Sequence, residues 1–153
     1  MDAPEQETRL RAAASRVREH AETFGDRQTG PDPPTGEQWD RGQVLSHIAE
    51  FLPYWVEQFE DVVAAGGAGH PFGRTKQTPS RLARIESGRH RSDADLLGEM
   101  DAGVDRAVAF LPNLKSADST LAGAHTTRGR MTVAAAVEEF IVAHLEQHAD
   151  QLA

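Results

Sequence analysis

The chain has no cysteine among its 153 residues. That removes disulfides, thiolate metal ligands and any protein-borne nucleophilic sulfur. A metal held by this protein must be held by histidine, carboxylate and water. Positive charge is also short: 16 Lys and Arg against 24 Asp and Glu leave a net charge of −8. Such a balance argues against binding a nucleic-acid backbone, which calls for clustered cations. No apolar run approaches the roughly 20 residues that span a bilayer. The opening stretch MDAPEQETRL has no basic segment leading into an apolar one, so no secretion signal is expected and a cytoplasmic location is. No GxGxxG follows a strand and no P-loop is present, which weighs against a nucleotide-dependent redox role.

What is present is an ordinary globular balance, 39% hydrophobic and 26% charged. The length suits one domain, residues 1–153. Four amphipathic helical segments stand out. The first runs from about Glu5 to Phe24 and is stopped by Gly25, before the loop GDRQTGPDPPTGEQ. The second runs from about Asp40 to Ala65, with Pro53 inside it as an expected kink. The third runs from about Ser92 to Leu111, with Ser92 and Asp93 as N-cap candidates and Pro112 beyond its end. The fourth, Thr132 to Leu152, carries Val133, Val137, Phe140, Ile141, Leu145 and Leu152 at helical spacing. A long connection from Gly66 to Arg91, with a short helix expected at Ser80–Glu86, is a candidate functional loop. Asn113–Met131 reads as a second loop. No strand is evident, and the expected fold is all-α, a four-helix bundle with long crossover connections.

His144 and His148 fall in the stripe of the fourth segment where leucine would be usual. Four residues along an α-helix rise about 6 Å and rotate about 40° beyond a full turn, so two such imidazoles can converge on one ion. His47, at the edge of the apolar face of the second segment, supplies a third nitrogen. Neutral imidazole suits Zn2+, Ni2+, Fe2+ or Cu2+, and three protein ligands leave a position for water or substrate. The plainer alternative is a set of core histidines hydrogen-bonded to their neighbours.

The stretch from Trp39 to Glu50, WDRGQVLSHIAE, resembles the second-helix signature of the DinB-like superfamily, a His in an LxHxxE context. The stretch from Phe140 to Leu152, FIVAHLEQHADQL, resembles its C-terminal His-x3-His helix, and Gly129 matches a glycine typical of the approach to that helix. The resemblance spans essentially the whole chain. It implies a four-helix bundle binding a divalent metal, Zn2+ or Ni2+ foremost, through His47, His144 and His148. It also implies a relation to transferases and isomerases that use mycothiol or bacillithiol, and a homodimer paired through bundle faces. Because the chain lacks cysteine, thiol chemistry needs a small-molecule cosubstrate. The Ala- and Arg-rich composition looks like that of high-GC bacteria, where mycothiol is the natural one.

Around the trio, Glu50 lies one turn after His47 and reads as a fourth ligand, a general base (the catalytic candidate) or a rim carboxylate. Trp55 reads as core and Tyr54 as a residue of a pocket mouth. Arg74, Lys76, Arg81, Arg84, Arg89 and Arg91 form a basic excess that reads either as a solvated loop or as a lid attracting an anionic substrate. His20, His70, His90 and His125 read as surface residues, His125 having the best chance of approaching the site. Two kinds of function follow: an enzyme (thiol-dependent transferase or isomerase, or metal-dependent hydrolase) acting on a small molecule, or a non-catalytic metal-binding or structural bundle.

Overall fold

The computed structural model describes residues 2–114 and 120–153. Residues 115–119 of the expected second loop lie outside the described residues. Helix α1 spans Ala3–Phe24, α2 Arg41–Ala64, α3 Pro79–Gly88, α4 Asp93–Phe110, α5 Val133–Val137 and α6 Ala143–Gln151. A single π-helical turn, Glu138–Val142, joins α5 to α6 without a break.

The helix starts follow from their capping residues. Asp2 accepts from the Glu5 N–H at 2.9 Å, Ser92 from Asp95 at 3.1 Å and Thr132 from Ala135 at 3.2 Å. At α2 the exchange is reciprocal. The Gln43 N–H donates to the Asp40 carboxylate at 2.8 Å, and the Asp40 N–H to the Gln43 side-chain oxygen at 2.9 Å. Gly66 and Gly67 end α2 in left-handed backbone, φ +68° and +77°. Helix α2 runs uninterrupted through Pro53.

The chain is not purely helical, which corrects the all-α expectation. Pro71–Phe72 (β1) pairs parallel with Ala122–His125 (β2), which pairs antiparallel with Gly129–Thr132 (β3). These strands are two to four residues long, too short to show an alternating pattern. Gly123 makes the pairing possible, because a Cβ there would lie 2.7 Å from the His70 carbonyl oxygen and from the Phe72 ring. The sheet ties both long connections together. The short helix α3 is present and slightly longer than expected.

Buried side chains form one contiguous core. Helix α2 packs against α3, α4 and α5, while α1 packs against α4 and α6. Phe51, Leu52, Phe59, Leu96, Met100, Ile141 and Leu145 are fully enclosed; each such side chain contributes about 1.5–3 kcal/mol by leaving water. Among the described residues Leu82 is the large apolar side chain left exposed.

The π turn decides which face of the last helix meets the core. It inserts one extra residue, rotating everything after it by about 100° relative to an unbroken α-helix. The line begun by Val133 and Val137 therefore continues through Leu145, Ala149 and Leu152, all at 0% exposure. His144 and His148 move to the flank of that line instead of lying within it. Phe140, expected in the buried stripe, is half-buried and stacks on Trp55.

Candidate metal centre

His47 faces the flank of α6 from the second turn of α2, and its ring meets the two histidines there. The Nε2 atoms of His47 and His144 are 3.1 Å apart, as are those of His144 and His148. One ligand atom from each of the three lies within 4.8 Å of the others. Nitrogens bound to zinc at about 2.0–2.1 Å in tetrahedral geometry lie about 3.3 Å apart, so the two 3.1 Å spacings are compatible with a shared ion.

The outer nitrogens fix the tautomers. His47 Nδ1 is 2.9 Å from Glu50 Oε1, and His148 Nδ1 is 2.6 Å from Gln151 Oε1. Both partners accept, so each Nδ1 carries the proton and each Nε2 presents a bare lone pair. The same i, i+3 relation thus recurs twice: His47 with Glu50 and His148 with Gln151. Carboxylate or amide support of this kind orients metal-binding imidazoles.

Two bare lone pairs thus converge on His144 Nε2, which has at most one proton to donate. One buried acceptor is then left facing another, a costly arrangement. A cation at the convergence satisfies every nitrogen, so the residues fit a divalent metal. The imidazoles are also in the right protonation state. Burial, reinforced by neighbouring His148 and by Arg81, holds His47 and His144 well below the ordinary imidazole value; burial takes His148 down to about 4.

Glu50 stands behind His47, on the side away from the convergence. Both its oxygens accept from Arg74 Nη2, at 2.6 and 2.8 Å, and both side chains are 7% exposed. Burial raises the Glu50 pKa, against the opposing hydrogen bond from Arg74. Arg74 in turn lies 3.9 Å over the Tyr54 ring. It follows directly on β1 and Gly73, whose N–H donates to Gln58 at 2.9 Å; the small sheet is what delivers the guanidinium to Glu50.

On its open side the trio faces a cavity of about 280 Å3, lined also by Trp39, Arg81, Gln147 and Gln151. In the sequence Trp39 has no evident role at the site, and the stretch before it reads only as a loop. The loop is closed by two bonds, Thr29 N–H to the Trp39 carbonyl at 2.8 Å and Trp39 N–H to Thr29 Oγ1 at 3.0 Å. Trp39 then packs edge-on to His47, with centroids 5.4 Å apart, and parallel to His148 at 6.5 Å.

Of the other sequence candidates, Trp55 is core. Arg81 is buried at the cavity while Arg84 is exposed on another face. His20, His70 and His90 stay away from the trio. His125 is buried rather than superficial: its Nδ1 accepts from the Thr127 and Arg128 N–H groups, and its ring stacks on Phe140. That closes the β2–β3 turn and adds nothing to the metal centre.

No curated protein and no solved structure matches the chain. A sequence profile of the DinB superfamily matches residues 9–152, nearly its whole length and including all three histidines. On that match, with the convergent histidines on helical segments that it covers, the chain belongs to the DinB superfamily.

Proposed function

We propose that this protein is a divalent-metal enzyme, with Zn2+ or Ni2+ held by His47, His144 and His148, that uses a low-molecular-weight thiol of the mycothiol type in a transferase or isomerase reaction. The helices are proposed to form the four-helix bundle of the family, and the chain to act in the cytoplasm on a small molecule. The observation that carries the reading is the convergence of the three Nε2 atoms at the wall of a cavity, with two tautomers set from behind. A metal bound by three protein ligands keeps an open position and, when present, lowers the pKa of a thiol or water placed there.

The protein's own residues prepare that position. Burial keeps the imidazoles neutral, and Glu50 and Gln151 aim two of them. Trp39 restricts water on one side of His47 and His148. Since no cysteine exists in the chain, the sulfur of a thiol reaction must arrive in a small molecule, for which the cavity has room. Glu50 acts in this reading as a positioning residue, because it does not line the cavity and is held by Arg74. A hydrolase needs a base beside the attacking water, and of the cavity's two carboxylates Asp32 is paired with Lys76 while Glu37 is exposed to solvent; this favours the thiol reading. A homodimer belongs to the proposal too, with a pairing face built mostly of polar and small side chains, given how little large apolar surface is exposed.

The test is a conjugation assay with mycothiol and a chromogenic electrophile, using protein loaded with Zn2+ or Ni2+. Turnover that needs both metal and mycothiol, and is lost in His144→Ala, is expected. Metal bound by the three histidines without any thiol-dependent turnover would return the protein to a non-catalytic metal-binding bundle.

A further inference from the structure

Arg81 is an unusual cation. Its residue is 9% exposed, it lies in the first turn of α3, and burial and the nearby Arg74 both oppose its charge. The Nη1 group donates to the Lys76 carbonyl at 2.8 Å, and the guanidinium lies 5.7 Å from the Trp39 ring centroid. These two contacts fix the plane of the group. They use one of its five donors, and the Nε–Nη2 edge has no acceptor among the described residues. Neither atom is sealed in the protein, and the residue lines the same cavity as the three histidines.

The nearby carboxylates do not fill that edge. Asp32 is bound by Lys76 at 3.1 Å and by Thr35 at 2.8 Å, and Glu37 is exposed at the mouth. Glu50 is bound by Arg74. A buried arginine that turns a planar pair of donors toward a cavity beside a candidate cation site is shaped to receive an anion. Two parallel N–H groups match the two oxygens of a carboxylate.

We propose that Arg81 is the specificity-determining residue of the cavity, receiving the carboxylate of a small organic acid on its Nε–Nη2 edge while the rest of the molecule lies against Trp39 and faces the metal centre. The inference rests on the cavity being the substrate site, and it adds the substrate class: a carboxylate-bearing electrophile. Acids at the mouth and an arginine inside set the direction of entry, with the carboxylate seated deep.

The experiment uses benzoate and its neutral counterpart benzamide as probes, titrated calorimetrically into zinc-loaded and chelator-treated protein, wild type and Arg81→Gln. Benzoate is expected to bind wild type about tenfold or more tightly than benzamide. Arg81→Gln should weaken benzoate by about tenfold or more, leaving benzamide and the zinc content unchanged. In wild-type protein labelled with 15N, the Arg81 Nε–H resonance, assigned by its absence in Arg81→Lys, should move when benzoate is added; this readout does not depend on the Gln variant folding. Equal binding of the two probes, benzoate affinity indifferent to Arg81→Gln, benzoate binding that vanishes with zinc alone, or a stationary Arg81 resonance would each overturn the proposal. None of these readouts requires turnover, so failure here is separable from failure of the thiol reaction.

Discussion

Glu50 and His47 are joined through the ring nitrogen that faces away from the other two histidines: Nδ1 meets the carboxylate at 2.9 Å, while Nε2 points the opposite way to His144. The glutamate therefore acts on the centre through histidine, and its second duty is to neutralise buried Arg74. Glu50→Gln retains an acceptor for His47 but removes the charge that Arg74 needs. Breaking a buried pair from one side typically costs about 3–5 kcal/mol. The expected result in urea melts is a loss of that order with the metal still bound at one ion per chain. Unchanged stability would mean that the Arg74–Glu50 pair is open to water.

Gln151 supports His148 from the surface, so its role is separable from folding. Gln151→Leu should leave the melting temperature of the metal-free protein nearly unchanged and weaken metal binding about 10- to 100-fold, the usual effect of losing such a supporting bond. Competition with a chromogenic chelator measures it. An affinity equal to wild type would show that the His148 tautomer is set by something else.

Gly88 closes α3 onto α2. A Cβ at this position would lie 2.2 Å from the Ser46 hydroxyl, which itself donates to the Ile85 carbonyl at 2.8 Å. Gly88→Ala should destabilise the fold by about 1–3 kcal/mol, as overpacking does, and displace the helix that carries Arg81. Adding Ser46→Gly removes the clashing atoms and should recover much of the loss. If Gly88→Ala melts like wild type, α3 is not seated as described.

Acid should weaken the metal-free protein through its histidines. The unfolded chain takes up protons near pH 6.5, whereas the buried imidazoles refuse them, His148 until about 4. Between those values the unfolded state holds more protons, so stability falls as pH falls, by up to about 1.4 kcal/mol per pH unit for each such histidine. It is retained in full above about pH 6.5. Chemical melts at pH 7 and pH 5 measure the difference, and His148→Leu should reduce it. A metal-free protein equally stable at both would contradict burial of neutral histidines.

Much of this was legible in the sequence because helices announce themselves by period. The four long segments, the cap at Ser92, and the grouping of His47, His144 and His148 were all readable. The strands were not, since AGAH and GRMT carry no alternation and β1 is only Pro71 and Phe72. Nor was the π turn at Glu138–Val142, which changes hydrogen bonding rather than composition. A strict 3.6-residue reading put the two histidines in one stripe with Leu145 and Leu152 and missed Ala149, whereas in the structure Leu145, Ala149 and Leu152 form the core line and the histidines flank it. One signal was present and unused: the His-x-x-Gln spacing from His148 names its supporting side chain, Gln151, as the same spacing named Glu50 for His47. Trp39, Arg74 and Arg81 reach the site through loop closure and sheet pairing, which local sequence does not encode.

The most direct measurement is elemental mass spectrometry of untagged, chelator-free protein after incubation with Zn2+ or Ni2+, alongside His47→Ala. A three-histidine centre predicts close to one divalent ion per chain, lost in the variant. No bound ion in wild type, or an ion that the variant keeps, would contradict it and leave the three imidazoles as hydrogen-bonded core residues.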